Sequence, residues 1–219
     1  MKRNYYQEFL ATTKSISKSN KPKLLLHVCC APCSSHCISV LDPFFDITVF
    51  YYNPNISPYD EYERRYNEEA RFLKEAYPHI SIINAEYDSQ IFDELAKGLE
   101  ELPEGGERCK RCYRLRLEKS GQYAIQNKFD YFTTTLTVSP YKHSDTLNQI
   151  GEEVAKECGV KYLFSDFKKQ DGYKHSIELS KKYNLYRQDY CGCKFSKEFR
   201  ERYKAIKEHL AKSNEEYDG

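Results

Sequence analysis

Short segments rich in apolar, aromatic or β-branched side chains alternate along this chain with longer, more polar segments. The short segments predict strands over residues 23–28, 47–52, 80–84, 131–138 and 162–164, and the first is apolar enough to be buried on both faces. The longer segments predict helices that end at residue 41 and cover residues 58–77, 88–98, 109–127, 145–159, 174–184 and 195–213. This alternation predicts an α/β fold with a mostly parallel sheet flanked by helices, in which ligands bind beyond the carboxyl ends of the strands.

Turn and capping residues set the limits of several of these elements. Ser57 is expected to cap the helix over residues 58–77, with Pro58 in its first turn. The helix that starts at Asp88 is expected to end at Gly98. No repeat, low-complexity tract or long linker divides the chain, so a single domain over residues 1–219 is expected.

The charge balance gives no argument for a polyanionic partner, because 34 basic residues stand against 33 acidic ones. The amino terminus has no secretory signal, and no apolar run is long enough to cross a bilayer, so a cytoplasmic protein without a membrane partner is expected. In that reducing compartment, clustered cysteines indicate metal or redox chemistry more often than a disulfide framework, which is the weaker alternative.

Seven of the nine cysteines stand in three tight clusters, about eighty residues apart along the chain. The clusters are Cys29, Cys30 and Cys33, then Cys109 and Cys112, and finally Cys191 and Cys193. Only a fold that brings the three clusters together makes them one site. Soft thiolate ligands gathered in this way are typical of iron–sulfur clusters, zinc or copper(I), so the pattern predicts a metalloprotein.

In the second and third clusters, the spacing of the residues indicates that their sulfurs lie on one side of the backbone. Cys109 and Cys112 are three positions apart at the start of a helix, which is expected to lower their thiol pKa values. An extended backbone around Gly192 would send Asp189, Cys191 and Cys193 to one side. Asp189 is then either a metal ligand, a helix cap or a salt-bridge partner of Arg187.

The first cluster is less regular. Cys29 and Cys30 are adjacent and would point to opposite sides unless the backbone turns there. Seven thiolates exceed the four that one iron–sulfur cluster needs, so either some are redox-active or spare, or a second metal lies beside the first. Cys37 and Cys158 are isolated within predicted helices and are interpreted as bystanders, and His27 as a core residue.

Five blocks of sequence, taken in order, resemble the QueH family of epoxyqueuosine reductases. They include Cys-Cys-Ala-Pro-Cys in the first block, Cys-Lys-Arg-Cys in the third and Asp-Tyr-Cys-Gly-Cys in the last, and they cover residues 24–34, 52–56, 106–116, 132–142 and 186–196. The resemblance implies an oxidoreductase of queuosine biosynthesis, which reduces epoxyqueuosine to queuosine at the wobble position of tRNA. It also implies a [4Fe-4S] cluster, an adjacent mononuclear iron and no cobalamin.

The resemblance further implies a fold similar to the nucleotide-hydrolase-like (HUP/PP-loop) sandwiches, with a Cys-bearing C-terminal helical segment. Cysteines stand where PP-loop enzymes carry a phosphate loop, which argues against the use of ATP. The partners implied are tRNA carrying epoxyqueuosine and an external electron donor, and the sequence leaves the oligomeric state open.

Candidate site residues follow from the resemblance and the ligand chemistry together. Cys109 and Cys112 are assigned to the cluster, with Cys29, Cys30 and Cys33 around a shared region, while Asp189, Cys191 and Cys193 shape the iron side. The residues assigned to catalysis are Asp189, Cys33 and Tyr141. Substrate binding is assigned to Asn53, Tyr113, Arg114 and Lys142.

Two other functions compete with this interpretation. A zinc-stabilised RNA-binding module without redox activity would use the same cysteines, and the basic residues and tyrosines near the clusters would serve RNA. A sulfur-transfer enzyme acting on tRNA would need ATP, and neither a Walker loop nor a PP-loop is present.

Overall fold

The sheet of this computed structural model, which describes residues 3–17 and 19–215 with side chains as far as residue 207, contains five parallel strands. The central strand pairs on both sides, since Leu25 lies opposite Thr48 on one neighbour and opposite Phe132 on the other. The predicted α/β class with a mostly parallel sheet is confirmed. The strands are β1 (Lys23–His27), β2 (Asp46–Tyr51), β3 (Ser81–Asn84), β4 (Tyr131–Thr134) and β5 (Lys161–Tyr162), in the spatial order β3-β2-β1-β4-β5.

Helices cover both faces of this sheet. They are α1 (Tyr5–Ser15), α2 (Ala31–Leu41), α3 (Tyr59–Ala76), α4 (Ser89–Ala96), α5 (Glu107–Gln126), α6 (Ser144–Cys158), α7 (Gly172–Lys182) and α8 (Lys194–Glu215). Helix α2 packs against α3 and α7, and α5 packs against α6. Among the helices of the described chain, none is both long and apolar enough to cross a membrane.

Strand β1 is buried from both sides, as its apolar sequence predicts. Leu24 and Leu26 pack into the core that contains α2 and α3, whereas Leu25 packs into the core that contains α5 and α6. The alternation follows from the two-residue period of a strand, and each fully buried leucine contributes roughly 1.5–3 kcal/mol. The carboxyl end of β1 is therefore held firmly in the middle of the molecule.

The strand order places a crevice directly beyond that end. The chain runs from β1 outward through β2 to β3, and then returns to the other side of β1 with β4 and β5. The loops that follow β1 and β4 therefore diverge, and in open parallel sheets ligands bind at this switch point. The loop after β1 and the first turn of α2 carry the first cysteine cluster.

Two expectations about the elements need correction, and one helix was not expected. Helix α1 was not predicted, although Asn4 caps it by accepting a hydrogen bond from the N–H of Gln7. The strand expected over residues 131–138 ends at Thr134, because the Thr134 hydroxyl accepts from the N–H of Leu136 and starts a 3₁₀ turn over Thr135–Val138. The N-cap position of α3 is occupied by Pro58 and not by Ser57, and no side chain caps that helix.

Candidate metal centre

The first cysteine cluster is a compact group of three thiols. The Sγ atoms of Cys29, Cys30 and Cys33 all lie within 4.8 Å of one another, and those of Cys29 and Cys30 are 3.8 Å apart. The chain bends at Cys29 and enters α2 after the N-cap residue, Cys30, so the adjacent cysteines do not diverge as they would in a continuous strand. The three thiols could hold a metal ion.

Of these three thiols, Cys29 loses its proton most readily. Hydrogen bonding with Cys30 and Cys33 holds the pKa of Cys29 well below the ordinary value. The same interaction raises the pKa of Cys30 to about 12, and it raises that of Cys33 as well. The Nε2–H of Gln188 also donates to the Sγ of Cys30, over 2.9 Å.

The other four clustered cysteines lie beside the first three. Cys109 packs in one buried cluster with Cys29 and Cys30, while Cys112 packs against Cys193. Cys191 lines a cavity together with Cys29 and Cys33. The fold thus brings all seven clustered cysteines into one neighbourhood, whereas Cys37 is buried in the core and Cys158 lies on α6.

The expected lowering of pKa at the start of α5 is wrong. Burial is the largest influence on both thiols: it raises the pKa of Cys109 above its ordinary value, and it raises the pKa of Cys112 to about 11. Burial likewise raises the pKa of Cys193 to about 12. The favourable field of one helix terminus is smaller than the cost of desolvating a thiolate, so these cysteines favour the neutral thiol until a cation binds them.

Two fully buried arginines flank the thiols. Arg65 donates from Nη1 to the carbonyl of Cys191, over 3.2 Å, and its charge lies beside Cys30. Arg116 is 1% exposed, and its Nε–H donates to the carbonyl of Cys112, over 3.3 Å. In the described chain the Nη2 of Arg116 has no hydrogen-bond partner.

A third cation, Lys142, extends this group into the cavity. Burial alone would lower the pKa of Lys142, but Cys191, Tyr113 and Cys29 raise it above its ordinary value. The pKa of Arg116 is raised in the same manner by Cys112, Cys191 and Cys29, against the effect of burial. The three cations therefore favour a negatively charged thiolate assembly at this place.

A cavity of about 440 Å³ opens onto the thiols, within the usual range of ligand sites. Its walls include Cys29 from the loop after β1, Cys33 from the first turn of α2, Lys142 from the loop after β4, and Cys191. The cavity therefore lies at the switch point of the sheet and gives a ligand access to the cysteines.

The other predicted site residues lie in different surroundings. Asp189 lines the cavity, but its carboxylate is 51% exposed and accepts a hydrogen bond from Lys204, over 2.7 Å. Tyr141 also lines the cavity and is 75% exposed. Asn53 is buried, and its Nδ2 donates to the carbonyl of Val28.

Tyr113 and Arg114 are adjacent in sequence and differ in environment. Tyr113 is buried in the cluster that contains Cys29 and Cys109. Arg114 lies at the surface, outside the cavity walls, and binds carboxylates of α5 and α6, namely Glu118, Glu153 and Glu157. The structure thus brings Lys142, Tyr141 and Asp189 to the cavity and leaves Arg114 elsewhere.

Sequence reasoning missed one buried acid near the centre. Glu69 is fully buried, its Oε2 lies 2.7 Å from the hydroxyl of Ser34, and its Oε1 has no partner in the described chain. Burial raises the pKa of Glu69 to about 8 from 4.5. The signal was present in the sequence, because Glu69 shares the inward face of α3 with other buried residues, namely Tyr62, Arg65, Phe72 and Leu73.

Glu69→Gln is expected to remove a pH dependence of stability. The folded state retains the Glu69 proton up to about pH 8, whereas the unfolded state releases it near pH 4.5, so the wild-type free energy of unfolding decreases as pH rises between these values. The difference between the variant and the wild type should grow by up to about 1.4 kcal/mol per pH unit over that range. Urea unfolding at several pH values measures it, and the exposed Glu63→Gln on the same helix is the control. A pH-independent difference would contradict the assignment.

The chain is similar to proteins of one family over most of its length. A protein-family model described as "Epoxyqueuosine reductase QueH" matches residues 24–199. The chain is 44% identical over 183 residues to the epoxyqueuosine reductase QueH of Streptococcus pyogenes serotype M1, covering 82% of this chain and 72% of that protein. It is 43% identical over 182 residues to the protein of the same name from Staphylococcus epidermidis, with 80% and 76% covered. It is 37% identical over 179 residues to the epoxyqueuosine reductase QueH of Thermotoga maritima, covering 79% of this chain and 89% of that protein.

A solved structure is also similar. It is described as a predicted subunit of tRNA methyltransferase from Methanocaldococcus jannaschii, and it superposes with a TM-score of 0.48 at 16% sequence identity. The superposition covers 72% of this chain and 74% of that one.

Proposed function

The chain belongs to the QueH family of epoxyqueuosine reductases, and on that premise we propose that it reduces epoxyqueuosine to queuosine in tRNA. The observation that supports the proposal most directly is the gathering of seven cysteines in one neighbourhood, where three of them line a cavity beyond the carboxyl end of β1. The reaction takes two electrons and two protons, converts the epoxide to an alkene and releases the oxygen as water. An external donor supplies the electrons, and a tRNA substrate agrees with the cytoplasmic location expected from the sequence.

We further propose that the cysteines hold a [4Fe-4S] cluster and an adjacent iron. Metal–thiolate bonds of about 2.3 Å in tetrahedral geometry separate two sulfurs by roughly 3.8 Å. The separation of 3.8 Å between Cys29 and Cys30 fits a shared ion, and the other thiols supply more ligands than one cluster requires. The buried cations fit the negative charge of such an assembly. When bound, the cluster supplies electrons and the iron supplies a Lewis acid for the oxygen that leaves.

The chain's own residues bind and orient the substrate in this scheme. Lys142 holds its proton at Nζ in the cavity, beside Cys29 and Cys191, where its charge favours a developing oxyanion. Tyr141 stands at the exposed rim of the cavity, where its phenol can contact the modified base. The apolar packing around Cys29 and Cys109 limits the access of water to the thiols.

Metal analysis tests the proposal. After anaerobic reconstitution with iron and sulfide, about five irons and four labile sulfides per chain are expected, with an EPR signal that changes on reduction. Turnover of tRNA carrying epoxyqueuosine should follow. Stoichiometric zinc without labile sulfide or a reducible signal would contradict the reductase and support the zinc-stabilised RNA-binding module, which the comparisons do not favour.

Asp189→Ala is expected to retain the cluster absorbance and to lose the additional iron and turnover, because a carboxylate is a better ligand for that iron than for the cluster. Binding of iron requires the carboxylate to leave Lys204, to which it is hydrogen-bonded. Lys204→Ala is therefore the matched control and should retain both metals. Iron analysis and absorbance spectra measure the outcome, and loss of cluster and iron together in Asp189→Ala would contradict the division of ligands.

A further inference from the structure

Helix α8 projects from the body of the protein and exposes aromatic side chains beside the cavity. Every described side chain from residue 197 to residue 207 is exposed. Phe199 is 66% exposed and Tyr203 is 46% exposed. Both line the cavity together with Arg200. Tyr203 lies on the same face of the helix as Phe199 and Arg200, because positions three to four apart are neighbours on a helix surface. Phe199, Arg200 and Tyr203 together form the α8 face.

Basic residues are concentrated around the α8 face. The segment over residues 194–207 contains six Lys or Arg and two Glu, although the whole chain has a net charge of only +1. Salt bridges to Asp93 and Asp189 engage two of the six, Lys194 and Lys204. The local excess of positive charge remains, and it is complementary to a polyanion.

The α8 face and the thiols share one cavity. Cys29, Cys33 and Cys191 line the inner part, while Tyr141 and the α8 face stand at its exposed parts. A partner bound at the α8 face can therefore present one group to the thiols while the rest of it stays outside. Exposed aromatic rings combined with basic side chains are typical of surfaces that bind unpaired nucleotides.

We propose that the α8 face is the docking surface for the anticodon loop of the substrate tRNA, an inference that rests on the proposed function. Phe199 and Tyr203 stack on unpaired bases next to the modified one, and Arg200 binds a phosphate between them. The modified base then enters the cavity past Tyr141. A second copy of this chain is the alternative occupant, because the exposed side chains also form an apolar stripe that includes Ile206.

Binding to a synthetic RNA hairpin with an anticodon-type loop tests this inference separately from catalysis. The full-length protein, reconstituted with iron and sulfide, is titrated against the labelled hairpin by fluorescence anisotropy. The Phe199→Ala, Tyr203→Ala double variant should raise Kd by about 30-fold or more. Arg200→Gln should reduce the slope of log Kd against log salt by about one. Tyr59→Ala is the matched control, because Tyr59 is also an exposed aromatic residue and does not line the cavity.

Cluster absorbance in the double variant should equal that of the wild type, which shows that the metal centre is intact. With epoxyqueuosine tRNA, KM should rise and kcat should change much less. Hairpin binding within twofold of the wild type would overturn the inference even if the protein is an active reductase. Light scattering that shows a dimer in the wild type and a monomer in the double variant, with unchanged RNA affinity, would assign the α8 face to a second copy. If the protein shows no reductase activity, the hairpin titration still decides whether the α8 face binds RNA.

Discussion

Arg116→Met is expected to weaken metal binding by about 10- to 100-fold and, at the same time, to stabilise the metal-free protein. The two effects have one cause. In the metal-free protein the thiol of Cys112, the cysteine that interacts most strongly with Arg116, favours the neutral form, so the buried charge of Arg116 is only partly neutralised, by Cys29. Removing a buried charge that is only partly neutralised, while keeping its volume, is expected to stabilise the metal-free protein by about 1 kcal/mol. When a cation binds, Cys112 becomes a thiolate, and Arg116 stabilises its negative charge.

The opposite signs of these effects make the prediction specific. Titration with Co²⁺, which gives a thiolate charge-transfer absorbance, measures metal affinity, and thermal unfolding under reducing conditions measures the metal-free protein. Arg116→Lys keeps the charge and should keep most of the affinity. Arg111→Met removes an exposed charge next to Cys112 and should alter neither quantity by much. A variant that loses stability in both states would show that Arg116 serves packing and not the charge of the thiolates.

Gly192→Ala is expected to lower metal affinity at least about tenfold and to abolish most turnover. Gly192 has φ of +124°, which L-residues rarely adopt, and an added Cβ would lie 2.9 Å from Ile56 Cγ1 and 3.1 Å from Arg65 Nη1. The backbone cost is about 1–3 kcal/mol. Movement of the loop would relieve these contacts, and because Cys191 and Cys193 flank Gly192, movement would displace both sulfurs.

Gly98→Ala separates the backbone cost from the contacts. Gly98 also has a positive φ, of +76°, but no atom lies within 4 Å of the position of an added Cβ. This control should lose stability and retain metal affinity, as measured by thermal unfolding and Co²⁺ titration. Equal affinity losses in the two variants would mean that the close approach of Arg65 and Ile56 to the loop has no role in shaping the site.

The parts of this structure that follow short-range patterns were predictable from sequence. The apolar sequence of β1 and the cysteines directly after it indicated both the parallel sheet and the edge at which ligands bind. The 3₁₀ turn after Thr134 was not predictable from β-propensity, because residues 135–138 are β-formers and a side-chain hydrogen bond redirects them. Expectations for single side chains were less successful, since pKa values and partners depend on tertiary packing. Cys112 illustrates this, because burial outweighs its position near a helix terminus.

The roles of Glu69 and Arg116 illustrate a different limit. Each is a charged residue on the inward face of a helix, and helical spacing alone would have indicated its burial. Helical spacing does not indicate which residues these side chains contact. Ser34 is about 35 positions away from Glu69, and Cys29 is nearly 90 positions away from Arg116. Such pairs are set by the order of the strands, which the sequence specifies only through the fold as a whole.

The distance in sequence between the first and last cysteine clusters has a consequence for folding. Cys29 and Cys193 are about 160 positions apart, and a metal centre bound by both clusters closes a loop that contains most of the chain. Closing a loop of about 100 residues by a covalent cross-link lowers the entropy of the unfolded state by an amount worth about 4.7 kcal/mol, and this cost grows slowly with length. Bound metal would therefore act as a cross-link between the first strand and the last helix. During synthesis the first cluster leaves the ribosome long before the last, so the complete ligand set exists only once nearly the whole chain has emerged.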